Sequence, residues 1–341
     1  MIARRTALKA AVAGAVAAPF LNTRAHAKTK IRMQGLLPAT APGHLAMEDG
    51  FVKGMSSLTN GKVEIDMFPV DAIVPAKEGL DAVGNGVVDS GFLMGGFFSG
   101  TLGLVSSIEA GVPGAERTPF ERYAFFYKHG FIELARKAYA RHNVHYLGPN
   151  LSPPWDLMSK KPIRKMADIN GMKIRVHGIE GEWYERMGAS TVFMSGGEMY
   201  TALATGVVDA ARWGSPSTCL ASSLHEVTKY YVQPSSMPAP NNHIIINLDL
   251  WNSLSAEIQA MMDYSARAAS LNYLGIAAAD DAAAMRKMQE AGVEVTRIPD
   301  SDWAEMERIA RSVWREKADA DEMSAQSVAM LNEFLASLGR A

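Results

Sequence analysis

Leu80-Asp-Ala-Val-Gly-Asn-Gly86-Val-Val-Asp89 returns later in the chain as Tyr200-Thr-Ala-Leu-Ala-Thr-Gly206-Val-Val-Asp209. In each copy an apolar helix end meets a glycine and then a short Val-Val strand. Glycine is wanted because the residue after a helix commonly takes the left-handed conformation, which costs nothing only when Cβ is absent. Two copies of one helix-turn-strand unit, far apart, predict two lobes of similar build with a cleft between them. Beyond the aspartates the copies diverge. The first continues Ser90-Gly-Phe-Leu-Met94-Gly-Gly-Phe97-Phe-Ser99 and the second Ala210-Ala-Arg212-Trp213-Gly-Ser-Pro216. If the lobes are equivalent, both stretches leave equivalent strand ends and face each other across the crevice where open α/β sheets bind ligands. An arginine beside a tryptophan there suits an anionic, partly apolar small molecule. The same two residues read equally well as surface packing of Trp213 with Arg212 in solvent.

Asp168-Ile-Asn-Gly-Met-Lys-Ile-Arg-Val176 holds a second cation of interest. Ile174 and Val176 alternate with Lys173 and Arg175, the period of a half-buried strand, and Asn170-Gly171 is the turn leading in. Arg175 therefore points off the core near the strand's carboxyl end, just before the small-residue loop His177-Gly-Ile-Glu-Gly181. A guanidinium there can grip a carboxylate through two parallel hydrogen bonds. By spacing alone the plainer reading, a solvated strand arginine paired with a neighbouring acid, is the stronger one.

The remaining chain alternates strand and helix. Residues 31–36 read as a strand, apolar positions from Leu45 to Leu58 as a helix, Val63, Ile65 and Met67 as a strand with one wet face, and Pro75 as a helix start. This order implies an α/β fold with a mainly parallel sheet. Residues 123–141 read as a helix, 144–147 as a strand, and the proline-rich stretch 148–155 as a loop crossing between lobes, carrying Asn150, Ser152 and Trp155. A helix is expected over 182–187, a strand over 190–193, and a further helix from Ser195-Gly-Gly-Glu198, whose first N–H groups can face an anion. Ser255 is placed to cap a long alanine-rich helix that Gly292 stops. Residues 303–338 are again helical, with enough apolar surface to cover a lobe or pair with a second copy.

Composition narrows the function. The first 27 residues form an export signal: Arg4-Arg5, a short apolar run, then Ala25-His-Ala27 as the cleavage site. The arginine pair suggests the twin-arginine route over an ordinary secretory one. The ~310 residues that follow are more than one compact core usually holds. A formal net charge of -2 argues against nucleic acid. Cys219 stands alone, so no internal disulfide forms and a buried, unreactive thiol is expected. Twenty methionines are scattered at core-like spacing as gap fillers, not as a copper site. His142 and His145 lack a third metal ligand. No G-x-S-x-G or H-E-x-x-H constellation marks an enzyme.

Ser159-Lys-Lys-Pro-Ile163, the stretch from Asp168 to Arg175, Met187-Gly-Ala-Ser190, Gly197 to Asp209, and Ile244-Ile-Ile-Asn247 before Trp251 carry a resemblance. In order and spacing, residues 30–299 resemble the substrate-binding proteins of tripartite ATP-independent periplasmic (TRAP) transporters, the DctP family. The resemblance implies a two-lobed periplasmic-binding-protein fold that closes on an organic acid and hands it to membrane subunits. It implies lobe 1 over residues 28–150 and 236–274, lobe 2 over 151–235 and 275–300, and C-terminal helices over 301–341. It also makes Arg175 the carboxylate clamp. The chain looks closest to the 2-oxo-acid and lactate branch, some of whose members form homodimers through their C-terminal helices. That branch carries a metal-holding glutamate where Arg212 stands. A cation does not ligate a cation, so no metal and no other cofactor are expected, with Arg212 as the positive charge beside the substrate. The acid would then carry a second anionic group, or a hydroxyl or keto oxygen. Trp213 and Trp155 would wall its apolar part, Asn150 would donate a hydrogen bond, and Met94 and Phe97 would be the first lobe's contribution. A sensory protein that presents the same ligand to a histidine kinase or chemoreceptor shares these features and is the alternative.

Overall fold

The computed structural model describes residues 28–194 and 196–340, so the expected export signal and Ser195 lie outside the described residues. Two sheets carry the fold. The first is ordered β2 (Val63–Phe68), β1 (Thr29–Gly35), β3 (Ser90–Leu93), β10 (Asn241–Asn247), β4 (Val144–Leu151). The second is ordered β7 (Ser190–Val192), β6 (Lys173–Arg175), β8 (Ala210–Arg212), β5 (Trp155–Ser159), β9 (Tyr230–Met237), β11 (Glu294–Arg297). The triplets β2-β1-β3 and β7-β6-β8 are both parallel, and each is then flanked by two antiparallel ladders. Those ladders belong to the strands by which the chain changes sheet, β4 to β5 and β9 to β10. A direct passage needs no crossover helix, so the sheets are mixed.

The sequence repeat sits at the same place in both. Gly86 and Gly206 follow their helices with φ of 72° and 77°, conformations that a side chain would strain. Asp89 accepts the Arg32 N–H at 2.8 Å, and Asp209 accepts the Lys173 N–H at 3.0 Å. Each aspartate thereby clips its own strand to the middle strand of its triplet.

Each sheet is buried on both faces, and alternation along the strands divides the side chains between two apolar cores. In the first sheet Leu93 and Ile245 enter one core while Phe92, Ile244 and Ile246 enter the other. In the second, Leu157, Ala210 and Val232 face one way and Met158, Ala211 and Tyr231 the other.

The helix Ala256–Glu290 spans 35 residues, is capped by Ser255 as expected, and ties the sheets together. Met262, Ala266 and Ala269 join the first lobe's core and Met288 the second's. Helix Asp300–Arg315 packs Met306, Ala310 and Val313 on the second lobe, and helix Glu322–Ser337 returns to bury Val328, Leu331, Phe334 and Leu335 in the first.

Three stretches differ from expectation. Residues 123–141 form two helices, Pro119–Tyr127 and Phe131–Ala140, broken at Gly130 with φ of 77°. Residues 303–338 are interrupted before Asp321, whose side chain accepts the Ser324 N–H and starts a new helix. The stretch expected as a loop from Gly148 continues β4 as far as Leu151. Pro149 is tolerated there because β4 is the sheet's edge, where a missing N–H costs no ladder bond.

Candidate functional site

A cleft of about 390 Å³ lies where the carboxyl ends of the two parallel triplets face each other. From the first lobe come Leu36 and Leu37 after β1 and Met94 and Phe97 after β3; from the second come Arg175 and His177 at the end of β6 and Arg212 and Trp213 at the end of β8. This is the crevice outside the strand ends that α/β sheets use for ligands.

Arg175 is only 4 % exposed, which excludes the solvated-arginine reading. Its Nε and Nη2 donate to the Met194 carbonyl at 3.2 and 3.0 Å, and Nη1 to the Arg212 carbonyl at 2.9 Å. Trp213 and Phe193 lie on its faces, with centroids 5.2 and 5.6 Å from Cζ. Among the described residues no carboxylate stands within ion-pair distance of it. Burial first, and then the neighbouring charge of Arg212, push its pKa down to about 9 against the pull of Glu180. It remains a cation at neutral pH.

Arg212 is compensated. Its Nε donates to Glu180 at 2.8 Å, both side chains are 3 % exposed, and Trp155 covers its Cζ at 4.9 Å. The other Glu180 oxygen accepts the Ser236 hydroxyl at 2.7 Å. Arg212 Nη2 lies 2.7 Å from His177 Nε2, which accepts, since a guanidinium only donates. Burial, reinforced by the charges of Arg212 and Arg175, holds His177 far below its ordinary pKa and therefore neutral. Gly178, with φ of 63° and ψ of -149°, makes the turn that sends His177 to the cleft and starts the helix Ile179–Arg186 bearing Glu180.

Six of the seven expected residues line this cleft: Arg175, Arg212, Trp213 and Trp155 from the second lobe, Met94 and Phe97 from the first. Asn150 does not. It is buried on the side of the long helix, where its Nδ2 donates to Ser270 at 3.3 Å. Its cross-strand neighbour Asn242 lines the cleft instead. Sequence reasoning also passed over His177, Glu180, Phe193 and Tyr273. Asn242 had a signal, the polar run Asn241-Asn-His243 opening a strand otherwise apolar. Cys219 is buried, and burial raises its thiol pKa, as expected of an inert cysteine. His145 is stacked on Trp251 at 4.0 Å, and burial pushes it down to about 4.

The model of bacterial extracellular solute-binding protein family 7, DctP, matches residues 34–321. The chain belongs to the DctP family. This DctP-family protein is 27 % identical over 274 residues to the monocarboxylate 2-oxoacid-binding periplasmic protein of Nostoc sp., covering 79 % of this chain and 74 % of that one. It is 25 % identical over 290 residues to the C4-dicarboxylate-binding periplasmic protein DctP of Rhodobacter capsulatus, covering 80 % and 82 %. Its fold matches the TRAP solute-binding protein of Colwellia psychrerythraea with bound calcium and pyruvate, at a TM-score of 0.83, 21 % identity and coverage of 92 % and 95 %. DctP is a family of solute-binding transport proteins, not of enzymes.

An ion like that calcium does not fit beside Arg212 of this DctP-family protein. Glu180 already holds the Arg212 Nε–H and the Ser236 hydroxyl, and His177 Nε2 is spent on Arg212. A metal placed there would face a guanidinium instead of a donor oxygen.

Proposed function

We propose that the protein captures a small organic acid as a monoanion in the periplasm, its lobes (residues 28–150 with 236–274, and 151–235 with 275–300) closing on it, and passes it unchanged to TRAP membrane subunits. The observation that carries this is Arg175: a buried cation at the strand-end cleft, fixed by main-chain carbonyls and, among the described residues, without a counter-anion. A bound carboxylate would supply that anion through charge-assisted bonds contributing roughly 1.5–3 kcal/mol each. The second anionic group that Arg212 suggested is not supported, because Glu180 neutralises Arg212 and His177 is uncharged. Lys77 and Asp71, which also line the cleft, cancel in its charge count. The cleft is therefore a +1 site in which Arg212 is balanced by Glu180, matching one carboxylate and a neutral oxygen. The names of relatives point the same way, since the Nostoc protein is named for monocarboxylate 2-oxoacids and the Colwellia protein holds pyruvate.

Thermal unfolding of chelator-treated protein against mono- and dicarboxylates tests the reading. A monocarboxylate at a thousand times its Kd should add about 4 kcal/mol, a shift of several degrees. Arg175→Ala should abolish the shift. Near-normal affinity in that variant, or binding that returns only with calcium or sodium, would refute the assignment.

A further inference from the structure

The first lobe keeps a carboxylate behind its side of the cleft. Glu109, on the helix Leu104–Ala110, is fully buried. Among the described residues no lysine or arginine pairs with its side chain; Arg122, which donates to the Glu109 main-chain carbonyl at 3.3 Å, pairs with Glu116 instead. Three side-chain donors converge on the carboxylate. Oε1 accepts the Tyr146 hydroxyl at 2.7 Å and Asn241 Nδ2 at 2.8 Å, and Oε2 accepts from His243 Nδ1 at 3.1 Å. All three donor residues are fully buried as well. A buried carboxylate is costly unless its lone pairs are used, and an apolar side chain of similar size would pack without that cost. Polar groups kept in a core against this local rule concentrate where function needs a fixed geometry.

Asn241 and His243 lie on β10, Tyr146 lies on β4 and Gly95 follows β3, so three adjacent strands meet on one carboxylate. Gly95 touches it through its backbone: a Cβ there would fall onto Glu109 Oε2 and stand 2.6 Å from the Ser106 carbonyl oxygen. His243 pairs with Leu93 across the ladder, directly before this turn. The residues held in this way carry the cleft wall. Asn242 sits between Asn241 and His243, and Met94 and Phe97 flank the glycine pair. Phe97 reaches the second lobe, its ring centroid 6.0 Å from that of His177, the side chain that accepts from Arg212. The turn Gly95–Phe98 has little to hold it from within, being a single 3₁₀ turn whose Phe97 N–H donates to the Met94 carbonyl at 3.2 Å.

We propose that Glu109 is the positioning residue of the first-lobe wall: its carboxylate fixes the turn Gly95–Phe98 against β10 and so sets where Phe97 stands in the cleft. This rests on the cleft being the acid site and adds a residue that lies behind it. Glu109 does not touch the ligand. It acts through the turn, and a wall fixed before the acid arrives spares the ligand the ordering of that segment.

Glu109→Gln keeps the shape of the side chain but turns an amide N–H towards at least one of the three donors. Hydrogen exchange of the exported chain, with no acid added, reads the turn directly. Amides of residues 94–98 should exchange about tenfold or more faster than in the parent, as one lost hydrogen bond to a charged group gives, while those of β1 and β2 in the same sheet keep their rates. Titration with pyruvate and with benzoate then reads the cleft. Glu109→Gln should weaken the tighter of the two by about tenfold in the parent, and by less than about twofold in Phe97→Ala, where the wall it acts through is gone. Should the glutamine variant not fold, Gly95→Ala presses a methyl against the same carboxylate and should give the same local acceleration. Acceleration across the whole lobe, or none at residues 94–98, overturns the proposal, as does an equal loss of affinity with and without Phe97. A parent that binds neither acid, with the local acceleration present, overturns the Arg175 reading and leaves Glu109 as the holder of the turn.

Discussion

Glu180 sets the charge of the cleft through a single carboxylate, and its replacement separates stability from selectivity. Glu180→Gln leaves Arg212 buried without a counter-charge, a change that typically costs about 3–5 kcal/mol. The same change turns a +1 cleft into a +2 one. We expect a lowered Tm together with a gain of succinate binding relative to a monocarboxylate, read by titrating both ligands into variant and parent. Unchanged preference would mean that Arg212 does not reach the ligand. Gly196 offers a steric counterpart. A Cβ there would fall inside contact distance of the Trp213 indole, which cannot swing away while its Nε1 donates to Ser222 at 2.9 Å and Arg175 lies against its face. Gly196→Ala should break that hold on the indole, weakening acid binding by about tenfold or more and shifting tryptophan emission. The cost expected of such overpacking is roughly 1–3 kcal/mol.

Strand β5 joins the cleft to the body of the second sheet, and Asp156 is its buried acid. Tyr231 on β9 donates to it, and burial pushes its carboxyl from 3.8 up to about 6 despite that bond. A carboxyl whose pKa is raised by folding binds its proton more tightly folded than unfolded. Its contribution to stability therefore grows as pH falls through 6 towards 4 and is absent above 6. Asp156→Asn should raise stability at pH 8, by an amount on the order of 2 kcal/mol, and the gain should shrink at pH 5. A constant difference across that range would show that Asp156 does not titrate there. Elements of this kind also mark how far the sequence could be read. Strands β2 and β6 were legible because Asp66 and Lys173 stay exposed between apolar neighbours, and the repeat was legible because Gly86 and Gly206 adopt positive φ in both copies. Arg175, Arg212 and the tryptophans were legible because they follow repeated or alternating strand ends. What was hidden depends on pairing across the fold: nothing local tells that Glu180 will reach Arg212, or that Asn242 instead of Asn150 will face the cleft. The breaks at Gly130 and Asp321 were hidden for a different reason, since helical periodicity continues on both sides of each.

For the molecule as a whole, the question is what the C-terminal helices are for. Helix Glu322–Ser337 sends Val328, Leu331, Phe334 and Leu335 into the first lobe's core, and Trp314 just before it is fully buried, its Nε1 donating to the Pro113 carbonyl at 3.1 Å. Four such side chains at about 1.5–3 kcal/mol each amount to roughly 6–12 kcal/mol, as large as the whole stability of a typical domain. The chain thus leaves the second lobe to finish the first, and these apolar side chains of the last helix are used within the chain. A chain ending at Asp321 should accordingly lose its first lobe, seen as dye-binding exposed core and loss of the cooperative transition, not as conversion of a dimer to a monomer. The intact protein should sediment as a single chain at micromolar concentration, with or without acid. A dimer that dissociates on shortening the last helix, with each half still cooperatively folded, would reverse the argument and return those helices to an intermolecular role.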